Sequence, residues 1–136
     1  THAQLTKLTY EAEVKQIVGS LDVLHRVLGF NDPFFRFPYG AGNKSMRAFL
    51  QKGGVTEFFW DIDTLDWKHK NPEVLLPYAL KETTQTGSGI ILFHDIQPQT
   101  IAIMPAFLTE LAKQGYKTVV LRSSQNNLPI NRLGKK

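Results

Sequence analysis

The chain has 136 residues, 42% hydrophobic and 21% charged, enough for one globular domain and not for two. It has no cysteine, which excludes disulfides, thiolate metal ligands and a cysteine nucleophile, and no apolar run approaches the ~18 residues of a membrane span. The net charge of +4 sits in the tail: residues 1–121 carry twelve Lys/Arg against twelve Asp/Glu, while Arg122, Arg132, Lys135 and Lys136 have no acid among them. A body without a basic stripe argues against a nucleic-acid partner. We therefore expect one body over 1–121 and a solvated basic tail over 122–136. The opening Thr1-His2-Ala3-Gln4 begins no signal-peptide core.

In chain order, a helix is predicted from Thr9, its N-cap, to Gly29. Glu11 and Glu13 lie in its first turn, and Val14, Ile17, Val18, Leu21, Leu24, Val27 and Leu28 form one apolar stripe. Phe34–Phe37 reads as a strand entering the turn Pro38-Tyr39-Gly40. A short helix over about 44–51 stops at Gly53-Gly54. The β-branched and aromatic run 55–62 predicts a second strand. Asn71-Pro72 opens a helix to about Thr84 with Val74, Leu75, Tyr78 and Ala79 inward. The continuous apolar run Ile90-Ile91-Leu92-Phe93 predicts a strand buried on both faces. Thr100 caps a helix to about Gln114, and residues 117–121 form the last strand.

Strands alternating with helices imply a parallel sheet with crossover helices. About four such strands fit a small doubly wound sheet or the carboxyl-terminal portion of a distorted (β/α) barrel. The barrel is favoured because the chain opens on a helix that has no partner strand. In addition, Tyr39, Asp63, Asp66 and His94 sit just after strands, on the face where barrels place their sites.

Three segments carry chemistry. His94 directly follows a buried strand, the position of a satisfied core imidazole or of a general acid or metal ligand. Asp61, Asp63 and Asp66 lie between Trp60 and Trp67, so three carboxylates crowd one strand end beside aromatic surface of the kind sugars stack on. Arg36 before Pro38-Tyr39-Gly40 calls for a carboxylate partner, and the turn can present a backbone N–H to an oxyanion. His2, taken alone, reads as a solvent residue. His25 and His69 read as surface or packing residues, and Phe30, Phe34 and Phe35 as core.

Together these segments resemble the polysaccharide deacetylases, the NodB-homology family or carbohydrate esterase family four. His2 with Leu5-Thr6-Lys7-Leu8 is similar to the end of the family's histidine motif. Arg36-Phe37-Pro38-Tyr39-Gly40 is similar to Arg-x-Pro-Tyr-Gly, Asp63-Thr64-Leu65-Asp66-Trp67 to Asp-x-x-Asp/Ser-Trp, and Leu92-Phe93-His94 to Leu-x-His. The family's opening Asp-Asp pair and first metal histidine have no counterpart here. The resemblance therefore implies the C-terminal part of a catalytic domain whose N-terminal part is a partner, as a separate piece or otherwise.

The resemblance also implies roles. His2 would be one ligand of a divalent metal, zinc first, with cobalt or nickel as alternatives. Tyr39 would offer its backbone N–H to the oxyanion, and Arg36 would hold a base carboxylate from outside the chain. His94 would be the general acid, with Asp63 accepting its other ring N–H. Trp67, Leu92 and Tyr39 would bound the acetyl pocket. Asp66, at a position that also takes serine, receives no role. The implied reaction is metal-dependent removal of acetyl groups, N-acetyl first, from an acetylated polysaccharide outside the cytoplasm, with release of acetate. A non-catalytic glycan-binding remnant of the same fold is the alternative, and a small flavodoxin-like domain ranks below both.

Overall fold

A computed structural model describes residues 3–29 and 33–121. His2, Phe30 and the basic tail 122–136 lie outside the described residues. Helices α1 (Tyr10–Leu28), α2 (Lys44–Lys52), α3 (Pro72–Thr86) and α4 (Pro98–Lys113) alternate with four two-residue strands. These are β1 (Phe34–Phe35), β2 (Thr56–Glu57), β3 (Ile62–Asp63) and β4 (Ile91–Leu92). The described residues fall into two compact units: one runs to Phe59 and includes Leu121, and the other is Trp60–Val120.

In the first unit β1 and β2 pair in parallel, Phe34 opposite Thr56 and Phe35 opposite Glu57, and α2 makes the crossover. Thr9 caps α1 as predicted, and Gly29 ends it at φ 74°, its N–H bonding the His25 carbonyl. Leu5, Ile17, Leu21, Phe37, Met46, Leu50 and Val55 form the core. The buried Glu13 carboxylate accepts from Asn43 Nδ2 at 2.7 Å, while Asn43 Oδ1 caps α2 through Met46 N–H. One polar pair thus ties two helices without leaving a buried charge unsatisfied. The stripe of α1 is covered only as far as Leu21; Leu24, Val27 and Leu28, expected inside, are exposed.

In the second unit β3 and β4 pair in parallel, Ile62 opposite Ile91 and Asp63 opposite Leu92, with α3 as crossover. Ala79, Phe107 and Leu111 anchor the core between α3 and α4. The inward face of α3 runs through Leu75, Ala79 and Thr83, and Val74 is exposed, so the apolar face sits one residue further along than the sequence suggested.

Parallel strands joined by crossover helices are what a portion of a (β/α) barrel contains. The strand boundaries differ from expectation at two places. The run 55–62 divides into β2 and β3, which pair with different partners. Residues 117–121 make no ladder among the described residues, and Val119 and Val120 are about four-fifths exposed. No helix among the described residues is long and apolar enough to cross a membrane.

Candidate active site

The second unit builds a site at the end of β4. Ile91-Leu92 carries the chain out of the sheet, and His94 follows with its side chain 37% exposed. Its Nδ1 lies 2.6 Å from Asp66 Oδ1, and its backbone N–H donates to Asp66 Oδ2 at 2.6 Å. Asp66 has no solvent exposure. Thr100 Oγ1 donates to the same Oδ2 at 2.6 Å, and Gln99 Nε2 donates to the Asp66 carbonyl at 2.6 Å. Burial pushes the Asp66 carboxyl up. The hydrogen bonds from Thr100, from the His94 ring and from the His94 backbone, together with the histidine's charge, outweigh that push and hold it below the usual carboxylate range. An ionised acceptor at Nδ1 requires that nitrogen to carry the proton. Nε2, which has no hydrogen-bond partner among the described residues, is then the ring nitrogen left open to a ligand.

The carboxylate on His94 is therefore that of Asp66, not Asp63 as the sequence reading had it. The cause is local geometry. Asp63 Oδ1 turns back to accept from Leu65 N–H at 2.9 Å, an Asx-turn, and Leu65 takes φ 50°. That left-handed residue reverses the chain and delivers Asp66 inward beneath the end of β4. Thr64, fully buried, fastens the same turn by donating to the Leu92 carbonyl at 2.7 Å. Leu92 is buried within β4, and Trp67 stands half-exposed beside Asp66. The polar residues Gln99 and Thr100, buried in the first turn of α4, were the missed signal, since buried donors at that spacing need an acceptor. Thr100 is not the N-cap either. Helix α4 starts at Pro98, leaving the Thr100 hydroxyl for Asp66.

Arg36 and Tyr39 belong to the first unit. Phe37 is buried and Gly42 lies against its ring, where a Cβ would come within 2.5 Å. Anchored by Phe37, the turn Pro38–Gly40 throws Tyr39 outward, two-thirds exposed and at φ 59°. A tyrosine held in the left-handed region is uncommon and marks a conformation imposed by its surroundings. Arg36 is exposed and forms no ion pair among the described residues, so the burial cost expected of it does not arise. With Phe34, Phe35, Phe58 and Leu121 it lines a cleft of about 290 Å³. Arg47 makes the carboxylate pair here, on Glu57 at 2.8 and 3.1 Å. His69 packs on Tyr78 with ring centres 4.7 Å apart.

Among the described residues no three His, Asp or Glu side chains gather as a metal centre requires. His2, the expected ligand, lies outside them. The described residues do not make a metal site by themselves.

Comparison with known proteins agrees with the motifs. The sequence profile described as polysaccharide deacetylase matches residues 1–58, the stretch that holds the Arg36–Gly40 turn. A peptidoglycan-N-acetylglucosamine deacetylase of Listeria monocytogenes is 32% identical over 120 residues, covering 88% of this chain and 25% of that protein. An aligned stretch of that length takes in both Arg36 and His94. Chitin deacetylase 1 of Saccharomyces cerevisiae is 30% identical over 76% of this chain and 36% of its own length. The solved structure of a Bdellovibrio bacteriovorus peptidoglycan deacetylase superposes with a TM-score of 0.85 at 39% identity, covering 95% of this chain and 38% of that one. The chain thus spans well under two thirds of the proteins it matches. A profile over the Tyr39 turn, relatives aligned across both motif-bearing ends, and a barrel-type strand end carrying a carboxylate-held histidine point the same way: along most of its length the chain is similar to polysaccharide deacetylases.

Proposed function

We propose that this chain supplies the proton-donating part of the catalytic site of an enzyme that hydrolyses acetyl groups, N-acetyl first, from a polysaccharide. The observation that supports it most is the His94 ring, oriented by an ionised, fully buried Asp66 and left with Nε2 for a ligand. In the reaction so read, a water gives a proton to the base carboxylate from outside this chain, and its oxygen adds to the acetyl carbonyl carbon. As the tetrahedral intermediate collapses, the carbon–nitrogen bond breaks and protonated His94 passes its Nε2 proton to the departing sugar nitrogen, leaving acetate and a free amine. Asp66 keeps Nδ1–H in place throughout, so one tautomer and one ring orientation serve the transfer. The Tyr39 backbone N–H is read as an oxyanion donor and Arg36 as the holder of a base carboxylate that this chain does not contain. Trp67 and Leu92 are read as walls of the acetyl pocket, and Asp63 as the clamp of the turn that presents Asp66.

Zinc, with cobalt or nickel as alternatives, enters this reading only through His2. One imidazole holds such an ion weakly, so its other ligands would come from elsewhere in the protein. The proton transfer assigned to His94 does not pass through it. Peptidoglycan and chitin, named for the relatives, are polymers outside the cytoplasm, and the same location is proposed here.

The test is acetate release from N-acetylglucosamine oligomers by the whole protein, with and without a chelator. Release that stops on chelation is expected. Chelator-insensitive glycan binding without acetate release would point to the binding remnant instead.

A further inference from the structure

We propose that Thr100 is a positioning residue for His94, acting through the Asp66 carboxylate. Three donors hold that carboxylate, and two of them, the ring Nδ1 and the backbone N–H, belong to His94 itself. The ring nitrogen moves with the group that is to be oriented, and the backbone N–H references the carboxylate only to the chain leaving β4. Thr100 is the third donor and the one that comes from another element. Its helix, α4, is anchored by buried Ile103, Phe107 and Leu111, and Thr100 is itself buried.

An aspartate's terminal torsion is broad. With the Thr100 hydroxyl joining the His94 backbone N–H on Oδ2, rotation is stopped and Oδ1 stays opposite Nδ1. In the same helical turn Gln99 Nε2 holds the Asp66 carbonyl, so side chain and main chain of Asp66 are both referenced to α4. A hydroxyl in a first helical turn commonly bonds nearby backbone. Here it is given to a charged acceptor 34 residues earlier in the chain, where a valine would fill the same space without a hydrogen bond.

The consequence for rate rests on the deacetylase reading; the positioning itself does not, and two measurements keep them apart. The first uses the whole protein labelled with nitrogen-15, reading the His94 ring shifts by NMR. The intact chain is expected to show a single tautomer with a protected proton on Nδ1. Thr100→Val should give mixed tautomers and a fast-exchanging ring proton, and Thr100→Ser should restore the original signal. The second is acetate release by the whole protein. There Thr100→Val should lower kcat roughly ten-fold, the loss of one hydrogen bond to a charged group, with KM nearly unchanged, and Thr100→Ser should recover it.

A folded Thr100→Val chain with the intact chain's ring signals overturns the proposal. If Thr100→Val does not fold, Thr100→Ala read in the same way decides it. A ring signal that responds as expected in a protein that releases no acetate upholds the positioning and overturns the deacetylase reading.

Discussion

At the scale of single residues, His94 was legible because a titratable side chain directly after a four-residue apolar run has few reasons to be there. Its partner was not. Asp63 and Asp66 are equivalent in composition, and only the φ of 50° at Leu65 decides which of them points under β4. No sequence rule places a leucine in the left-handed region, so that turn stayed invisible. The lowered Asp66 carboxyl has a stability consequence whose sign is fixed. A carboxyl bound less tightly by protons in the folded chain stabilises above its unfolded value, near pH 4, and that contribution is lost as pH falls through the lower folded value. Asp66→Asn should therefore cost about 1–3 kcal/mol at pH 7, because it turns an amide against donors that need an acceptor. The deficit should shrink as pH falls below 4. Urea unfolding of both proteins at pH 7 and pH 3 measures it, and an equal deficit at both values would remove the charge from the explanation.

At the scale of elements, the caps Thr9 and Asn71 were readable, the cap assigned to Thr100 was wrong, and the strand pairings were not readable. Thr9, Asn43 and Asn71 stand at helix starts with side-chain oxygens on first-turn N–H groups, since short polar side chains at those positions act locally. Strand ends depend on neighbours far along the chain. That is why 55–62 was read as one strand, although Phe58 N–H reaches Phe35 in one ladder and Ile62 N–H reaches Ile90 in another. The Tyr39 turn makes an element-scale prediction. A Cβ on Gly42 would press within 2.5 Å of the Phe37 ring that anchors the turn. Gly42→Ala should destabilise by about 1–3 kcal/mol, and in the whole protein it should lower acetate release through a displaced Tyr39. Thermal unfolding together with the release rate checks both halves.

At the scale of the whole molecule, the chain spans 25% of the Listeria relative and 38% of the Bdellovibrio structure, and its described residues gather no metal centre. The sequence signalled the partial span through the missing Asp-Asp pair. The 136-residue chain with added zinc is therefore expected to release no acetate from N-acetylglucosamine oligomers, and the whole protein is expected to release it. Release by the isolated chain would mean that its own residues suffice.

The most direct measurement compares acetate release by the whole protein carrying His94 with the same protein carrying His94→Asn, at matched stability. Removal of a positioned general acid should lower the rate by about 10²–10⁴-fold with the glycan still bound. An unchanged rate would show that the imidazole after β4 takes no part in the chemistry.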